Sequence, residues 1–267
     1  LGGSESLRST TDGWKSVTLP HAFNEDEAFK LSIDQLTDTI IWYKKTFKLP
    51  KDAKGRKVFI EFEGVRQAAD VYVNGKHVGL HENGVMAFGF DITPYLHVDK
   101  ENLIALRIDN NWEYTERATD TKFQWNNKNF NANYGGMPKS VWLYVTDKLY
   151  QTLPLYSNLQ TTGVYIYATD IRIKSRKAVI NAESEIRNEN SKKQTVAYEV
   201  AVFDRDGSLL ETFRGDEITI DPGETKTVKA TQEMSGLHFW SWGYGYLYTV
   251  KTRLLINNKI IDEVSTK

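Results

Sequence analysis

The sequence predicts an all-β fold made of two successive β-sandwiches, and three observations carry this prediction. Apolar and polar residues alternate over many short runs, which is the two-residue period of a half-buried strand. No stretch has the apolar spacing of a convincing amphipathic helix. Glycine, asparagine, aspartate and proline separate the runs at short intervals. Chains of this kind close most economically as two-sheet sandwiches.

The first half of the chain contains clear strand and hairpin signals. Val58, Ile60 and Phe62 share one face of a predicted strand, with polar residues on the other. Asn74-Gly75 stands between two β-forming triplets, and this dipeptide favours the positive φ angles of a type I′ hairpin turn. Residues 103–109 and 141–145 are predicted as further strands.

The second half resembles an immunoglobulin-like sandwich that lacks the disulfide. The alternation breaks between Asp147 and about Ala168, so we predict a domain junction there, with domains at residues 1–150 and 151–267. Short strands then recur at the spacing of such a sandwich. Strands are predicted at residues 178–186, 196–203 and 247–256, with turns at Asp206-Gly207, residues 221–224 and Asn257-Asn258.

Composition excludes several classes of function. The chain of 267 residues has a net charge of −1, so it has no excess positive charge to attract nucleic acid or anionic lipid. No apolar run approaches the ~18 residues of a membrane span, and the absence of cysteine excludes thiolate chemistry and disulfides. The seven tryptophans and fourteen tyrosines fit sheet cores and also fit carbohydrate contact.

A search for catalytic motifs is negative. The sequence has no P-loop, no dinucleotide glycine fingerprint, no HExxH and no GxSxG. The five histidines are scattered, and acidic clusters such as residues 25–27 are interpreted as solvated loops rather than cation sites. We therefore predict no catalytic residue, no metal ligand set and no cofactor in this chain.

One segment, NYGGMPKSVWL at residues 133–143, is unusual in a strand-rich chain. Gly135-Gly136 followed by Pro138 predicts a forced bend or bulge that feeds the strand beginning at Val141. Such a bend is often only the corner of a sandwich. A functional role for this segment can be inferred only if other motifs in the sequence point to the same function.

Several short motifs, taken in their order along the chain, resemble the amino-terminal sugar-binding domain of glycoside hydrolase family 2. Residues 136–143 are similar to the family segment G-I-x-R-x-V-x-L, with Met137 for isoleucine and Lys139 for arginine. LHFWS at 237–241 and YLY at 246–248 resemble the L-W-S-P…P-Y-L-Y ending of the family's second domain. The other matching motifs are residues 14–21, 42–47, 71–79, 90–93 and 106–110.

The resemblance implies a jelly-roll domain, an immunoglobulin-like domain and then a (β/α)₈ barrel with two catalytic glutamates. The chain stops at Lys267, about where that barrel would begin. Retaining glycosidases need two carboxyl groups ~5–5.5 Å apart, and both would lie beyond this chain. We therefore expect these residues alone to be inactive and the parent protein to be a retaining exo-acting β-glycosidase.

The resemblance also points to a sugar-contacting loop at residues 123–134. In some branches of the family an aspartate six residues before the glycine contacts the sugar, and the corresponding residue here is Phe130. Asparagine amides beside it can donate to and accept from hydroxyl groups, and a tryptophan ring can stack on a sugar. The predicted substrate-binding residues are Trp125, Asn129, Asn131 and Asn133. The alternative is a loop that merely packs on the barrel.

Three functions remain open at the level of sequence. The first is the front half of a family 2 glycosidase, with β-galactosidase preferred as parent activity and β-glucuronidase or β-mannosidase as alternatives. The second is a free-standing carbohydrate-binding module, and the third is a structural or adhesive pair of sandwiches. The expected partners are a carbohydrate substrate, the chain's own barrel domain and, in a homo-oligomer, further copies of the protein. Family habit favours a periplasmic or secreted location over a cytoplasmic one.

Overall fold

The structure, a computed structural model, describes residues 13–122 and 133–267, and its regular elements are almost all strands. Helix in these residues is limited to short 3-10 turns at Glu25–Phe29, Ile33–Gln35, Lys51–Ala53 and Thr93–Tyr95. None of the described helices has the length and apolarity needed to cross a bilayer. The all-β prediction is confirmed.

The strands divide into two compact units. The first runs up to Val145 and takes in Ser157–Leu159, and the second contains Thr146–Tyr156 and Gln160–Lys267. The strands of the first unit are β1 (His21–Ala22), β2 (Ile40–Phe47), β3 (Lys57–Phe62), β4 (Ala68–Val73), β5 (Lys76–Glu82), β6 (Phe88–Asp91), β7 (Asn102–Asp109), β8 (Thr115–Glu116), β9 (Thr121–Lys122), β10 (Gly136–Met137) and β11 (Val141–Thr146).

The first unit is a jelly-roll sandwich. A four-stranded sheet in the order β2-β7-β4-β5 and a three-stranded sheet in the order β11-β3-β6 enclose one apolar core. Val58, Ile60 and Phe62 are buried in that core as their alternation predicts. Asn74 and Gly75 have φ angles of 50° and 79°, as a type I′ turn between β4 and β5 requires.

The second unit is an immunoglobulin-like sandwich. Its strands are β12 (Leu149–Gln151), β13 (Val164–Arg172), β14 (Lys177–Asn188), β15 (Gln194–Phe203), β16 (Leu209–Arg214), β17 (Ile218–Ile220), β18 (Thr225–Ser235), β19 (Thr249–Ile256) and β20 (Lys259–Thr266). One sheet contains β12, β13, β14 and β18, and the other contains β16, β17, β15, β19 and β20. Alternate residues of β15 form the centre of the core between them: Val196, Tyr198, Val200 and Val202.

Two strands lie in the stretch where the sequence pattern breaks. Residues 149–151 form β12, and β13 begins at Val164. Alternation does not reveal β12 because all its residues are buried, including the polar Gln151. The Gln151 amide nitrogen donates to the backbone oxygen of Thr252 at 3.2 Å and to the Asp262 carboxylate at 3.0 Å. A buried polar residue satisfied from distant strands is invisible to a local pattern.

The carboxylate of Glu199 on β15 is held by two arginines. It accepts bonds from Arg214 Nε at 3.0 Å, from Arg214 Nη2 at 2.7 Å and from Arg253 Nη1 at 3.2 Å. Burial raises the pKa of Glu199, but the hydrogen bonds from Arg214 and Arg253 outweigh it, so the pKa lies below the ordinary 4.5. A lowered folded-state pKa gives stability that is present above the unfolded pKa and is lost as the pH falls through the folded one.

The Glu199→Gln variant tests this linkage. We expect its free energy of unfolding at neutral pH to fall by about 1 kcal/mol, because ion pairs to two guanidiniums become hydrogen bonds to a neutral amide oxygen. Its stability should also fall less than that of the wild type as the pH drops below the ordinary glutamate pKa. Urea unfolding across that pH range measures both effects, and Glu217→Gln, which removes an exposed carboxylate, is the control. An unchanged pH profile for Glu199→Gln would contradict the assignment.

Candidate functional site

Four loops meet at one end of the jelly-roll unit, and each contributes a polar side chain. Asn24 follows β1, Arg66 precedes β4, Asn110 follows β7 and Asn133 precedes β10. The three asparagines are fully or almost fully buried, with at most 1% of each exposed. Buried polar side chains are stable only when hydrogen bonded, so this cluster has a defined geometry.

Asn133 is the centre of the cluster. Its side-chain oxygen accepts a bond from Arg66 Nε at 2.9 Å, and its side-chain nitrogen donates to the Asn110 backbone oxygen at 2.8 Å. Its own backbone oxygen accepts from the side chains of Asn24 at 2.7 Å and Asn110 at 3.2 Å. Asn133 is therefore fixed on both its side chain and its main chain.

Asn24 ties the loop after β1 to the same point. Its amide nitrogen also donates to the Thr37 backbone oxygen at 2.9 Å, and its amide oxygen accepts from the Gly135 backbone nitrogen at 3.0 Å. The amide satisfies groups on both loops at once, so it acts as a clamp between them. Sequence reasoning missed Asn24 because its partners lie far away in the chain.

The double glycine lies directly against this clamp. Gly136 has a φ of 129° and pairs with Ala22 in the short β1-β10 ladder, and it also bridges to Arg66. A Cβ on Gly135 would lie 2.2 Å from the Phe23 ring, and one on Gly136 would lie 2.6 Å from the Tyr43 hydroxyl. The predicted bend is confirmed, and close backbone approach is its physical reason.

Tyr43 closes the other side of the bend. Its hydroxyl and His21 Nδ1 are 2.7 Å apart, and burial raises the pKa of Tyr43 to about 12. The phenol therefore stays neutral at neutral pH. The His21–Tyr43 pair holds β1 against β2 and fixes where the chain enters the loop cluster.

Arg66 supplies a strongly desolvated cation to the cluster. Burial lowers its pKa, and its Nη2 atom has no hydrogen-bond partner. The side-chain oxygens of Gln67 and Asn110 are also buried and also have no hydrogen-bond partner. Unpaired buried donors and acceptors are costly, so these groups lower the stability that the cluster's other hydrogen bonds provide.

The predicted sugar-contacting residues divide into two groups. Trp125, Asn129 and Asn131 lie outside the described residues. Asn133 is described, but each of its amide atoms is engaged within the protein and none of its surface is exposed. Its hydrogen bonds tie Asn24, Arg66 and Asn110 together in the described residues, and its contact with a sugar stays a prediction.

The second unit presents an exposed aromatic surface at residues 238–247. Trp240 is 65% exposed, Trp242 is 96% exposed and Leu247 is 57% exposed. A tight turn at Ser241–Tyr244 supports the segment, and the rings of His238 and Tyr246 stack at 4.6 Å. Large exposed apolar side chains within one short segment are typical of interaction sites.

No cluster of metal-ligating residues is present in the described part of the chain. One carboxylate pair, Asp70 and Asp109, does occur on the outer face of the four-stranded sheet. The Arg107 guanidinium contacts both, at 3.5 Å and 3.1 Å. The two carboxylates are therefore ion-paired to one shared guanidinium, as in a structural charge network.

Two sequence families match the chain in succession. Residues 14–144 match the family described as glycosyl hydrolase 2 galactose-binding domain-like. Residues 164–267 match the family described as glycosyl hydrolases family 2.

Curated relatives carry two activities in their names. A β-glucuronidase of Formosa agariphila is 38% identical over 93% of this chain and 26% of its own length. A β-galactosidase of Bacteroides ovatus is 26% identical over 95% of this chain and 28% of its own length. The chain thus spans about a quarter of the length of these relatives.

Solved structures give the same result. The structure of a β-glucuronidase from glycoside hydrolase family 2 is similar with a TM-score of 0.87 and 34% identity, over 97% of this chain and 27% of that one. A putative β-galactosidase from Bacteroides fragilis is similar with a TM-score of 0.79 and 30% identity, over 95% of this chain and 36% of that one.

Proposed function

The chain belongs to glycoside hydrolase family 2, and we propose that it is the non-catalytic amino-terminal part of a retaining β-glycosidase. The relatives named above are about four times as long as the segment they share with this chain. We infer that the whole protein contains a catalytic barrel with an acid/base and a nucleophile carboxyl group. The domains proposed at residues 1–150 and 151–267 would support and restrict access to that barrel.

We favour β-glucuronidase as the activity of the whole protein. The supporting observation is the 38% identity over 93% of the chain to a protein named β-glucuronidase, against 26% for the β-galactosidase of Bacteroides ovatus. β-Galactosidase, which the sequence motifs favour, remains the second candidate because relatives of both names match nearly the whole chain. Both activities would require the same supporting role from these two domains.

The aromatic surface at residues 238–247 supports the proposal of a further domain. Trp242, at 96% exposed, would cost free energy to leave in water, and Trp240 and Leu247 enlarge the same apolar surface. These residues overlap the segment that resembles the family ending before the barrel. We propose that this surface packs against the barrel in the whole protein.

The purified chain of 267 residues should not hydrolyse glycosides. In the described residues, Asp70 and Asp109 share an ion pair with Arg107, and Glu199 and Glu263 share one with Arg253, which is the arrangement of structural charge networks. Nitrophenyl β-glucuronide and β-galactoside are suitable substrates, assayed with this chain and with the whole gene product. We expect no turnover from the chain and faster turnover of the glucuronide by the whole protein.

The non-catalytic role of the chain and the β-glucuronidase activity of the whole protein are tested by different outcomes. Turnover by the chain that survives repurification would overturn the non-catalytic role. Preference of the whole protein for the galactoside would leave that role intact and would establish the second candidate activity.

A further inference from the structure

The outward face of the four-stranded sheet carries a cleft away from the loop cluster described above. Val71 of β4 and Leu106 of β7 point into the core, so their neighbours Asp70, Tyr72 and Arg107 point outward. Together with residues of the following segment they line a cleft of about 420 Å³. Small-molecule sites have volumes of about 300–1,000 Å³.

The wall of the cleft comes from the segment after β7 and is anchored. The Tyr114 hydroxyl donates to Glu82 Oε1 at 2.5 Å, and the Arg117 backbone nitrogen donates to the same oxygen at 2.8 Å. Glu82 lies at the end of β5, so the wall is tied to the edge strand of the sheet. The cleft is therefore formed before any ligand arrives.

The polar groups of the cleft are balanced in charge. Asp70, whose side chain is only 6% exposed, has Arg107 Nη1 at 3.5 Å and Arg117 Nη2 at 3.4 Å, and Asp109 has Arg107 Nη2 at 3.1 Å. His77 Nε2 lies 3.1 Å from Asp70 Oδ1, whereas the two arginine contacts to Asp70 lie at the outer limit of hydrogen-bond length. The Arg117 guanidinium, whose side chain is 60% exposed, is therefore available to a ligand. Two carboxylates against two guanidiniums leave no net attraction for a charged ligand, and such planar groups suit vicinal hydroxyls.

A row of rings adjoins these polar groups. The Tyr72 ring lies 5.8 Å from the Trp42 ring and 5.1 Å from the His77 ring, measured between centroids. Aromatic faces with a polar rim bury the C–H face of a pyranose while its hydroxyls stay hydrogen bonded. Rings beside bidentate donors and acceptors are the combination that recognises a sugar.

We propose that this cleft is a carbohydrate-binding site for a neutral pyranose unit within a glycan chain. Tyr72 would stack on the sugar, with Trp42 supporting the Tyr72 ring from the side, and Arg107, Arg117 and Asp70 would bind the sugar hydroxyls. The site would hold a glycan chain on the jelly-roll unit. The proposal of a sugar site in this cleft does not depend on which glycosidase activity the whole protein has.

The test is calorimetric titration of the 267-residue chain with β-1,4-linked hexaoses of glucose, xylose and galactose, and with a hexamer of galacturonic acid. We expect saturable binding of at least one neutral hexaose and weaker binding of the charged hexamer. The Tyr72→Ala and Arg117→Ala variants should each weaken that binding about tenfold or more. The Arg117 side chain is 60% exposed, so its removal leaves the fold intact.

The matched control is Tyr165→Ala. Tyr165 is an exposed tyrosine, 64% accessible, that stacks on Tyr167 in the second unit, and its loss should leave binding unchanged. The proposal is overturned if no neutral hexaose binds at millimolar concentration, if the galacturonic acid hexamer binds more tightly, or if neither cleft variant weakens binding.

Discussion

The Gly136→Ala variant is expected to lose about 3–5 kcal/mol of folding free energy in the first unit, which is among the largest effects of a single methyl group. The added Cβ would lie 2.6 Å from the Tyr43 hydroxyl and 2.8 Å from the His21 backbone oxygen. The backbone oxygen belongs to the paired strand β1 and cannot rotate away. The φ of 129° at Gly136 adds strain that only glycine avoids.

The Gly55→Ala variant separates the two causes. Gly55 also has a positive φ, of 77°, but no atom lies within 4 Å of the Cβ position. It should lose only about 1–2 kcal/mol, the cost of a left-handed backbone in an L-residue. Thermal unfolding followed by calorimetry compares the two variants. Equal losses would show that steric contact at the β1-β10 bend contributes nothing, contrary to the geometry.

The strands were predictable from the sequence because their information is local. Val58, Ile60 and Phe62 repeat every second residue, and that period alone fixes which side faces the core. Asn74-Gly75 specifies a hairpin turn because asparagine and glycine both tolerate the positive φ angles that the turn requires at two adjacent residues. The family order of motifs then predicted the two sandwiches, which the structure confirms.

The loop cluster was predictable only in part, because its information is not local. The side chain of Asn24 meets the Asn133 backbone across 109 residues, and no period or turn signal connects them. Asn133 itself was selected for its amide, which is able to bind hydroxyls, but burial decides that the amide binds the protein instead. Burial is a property of the assembled fold, so residue type alone cannot distinguish a ligand contact from a positioning residue.

The Asn133→Ala variant is expected to destabilise the first unit by about 3 kcal/mol, because removing one side chain leaves two buried groups unpaired. These are Arg66 Nε and the Asn110 backbone oxygen, which now lie 2.9 Å and 2.8 Å from the Asn133 amide. Arg66 already has one unpaired nitrogen, Nη2. Calorimetry of the chain measures the loss, and Asn83→Ala, which removes a partly exposed turn amide, should cost less than about 1 kcal/mol.

The Asn133→Asp variant distinguishes a positioning residue from a sugar contact. The introduced carboxylate would form an ion pair with Arg66, but it would also place an acceptor oxygen against the Asn110 backbone oxygen, which now accepts from the Asn133 amide at 2.8 Å. The variant should therefore also be clearly less stable than the wild type. A residue that contacts sugar from an exposed loop would behave differently. Its substitution would weaken sugar binding and leave the unfolding temperature unchanged. Because the Asn133 amide is buried between Arg66 and Asn110, we expect any effect on the sugar to arise only through the lost stability of the loops it holds.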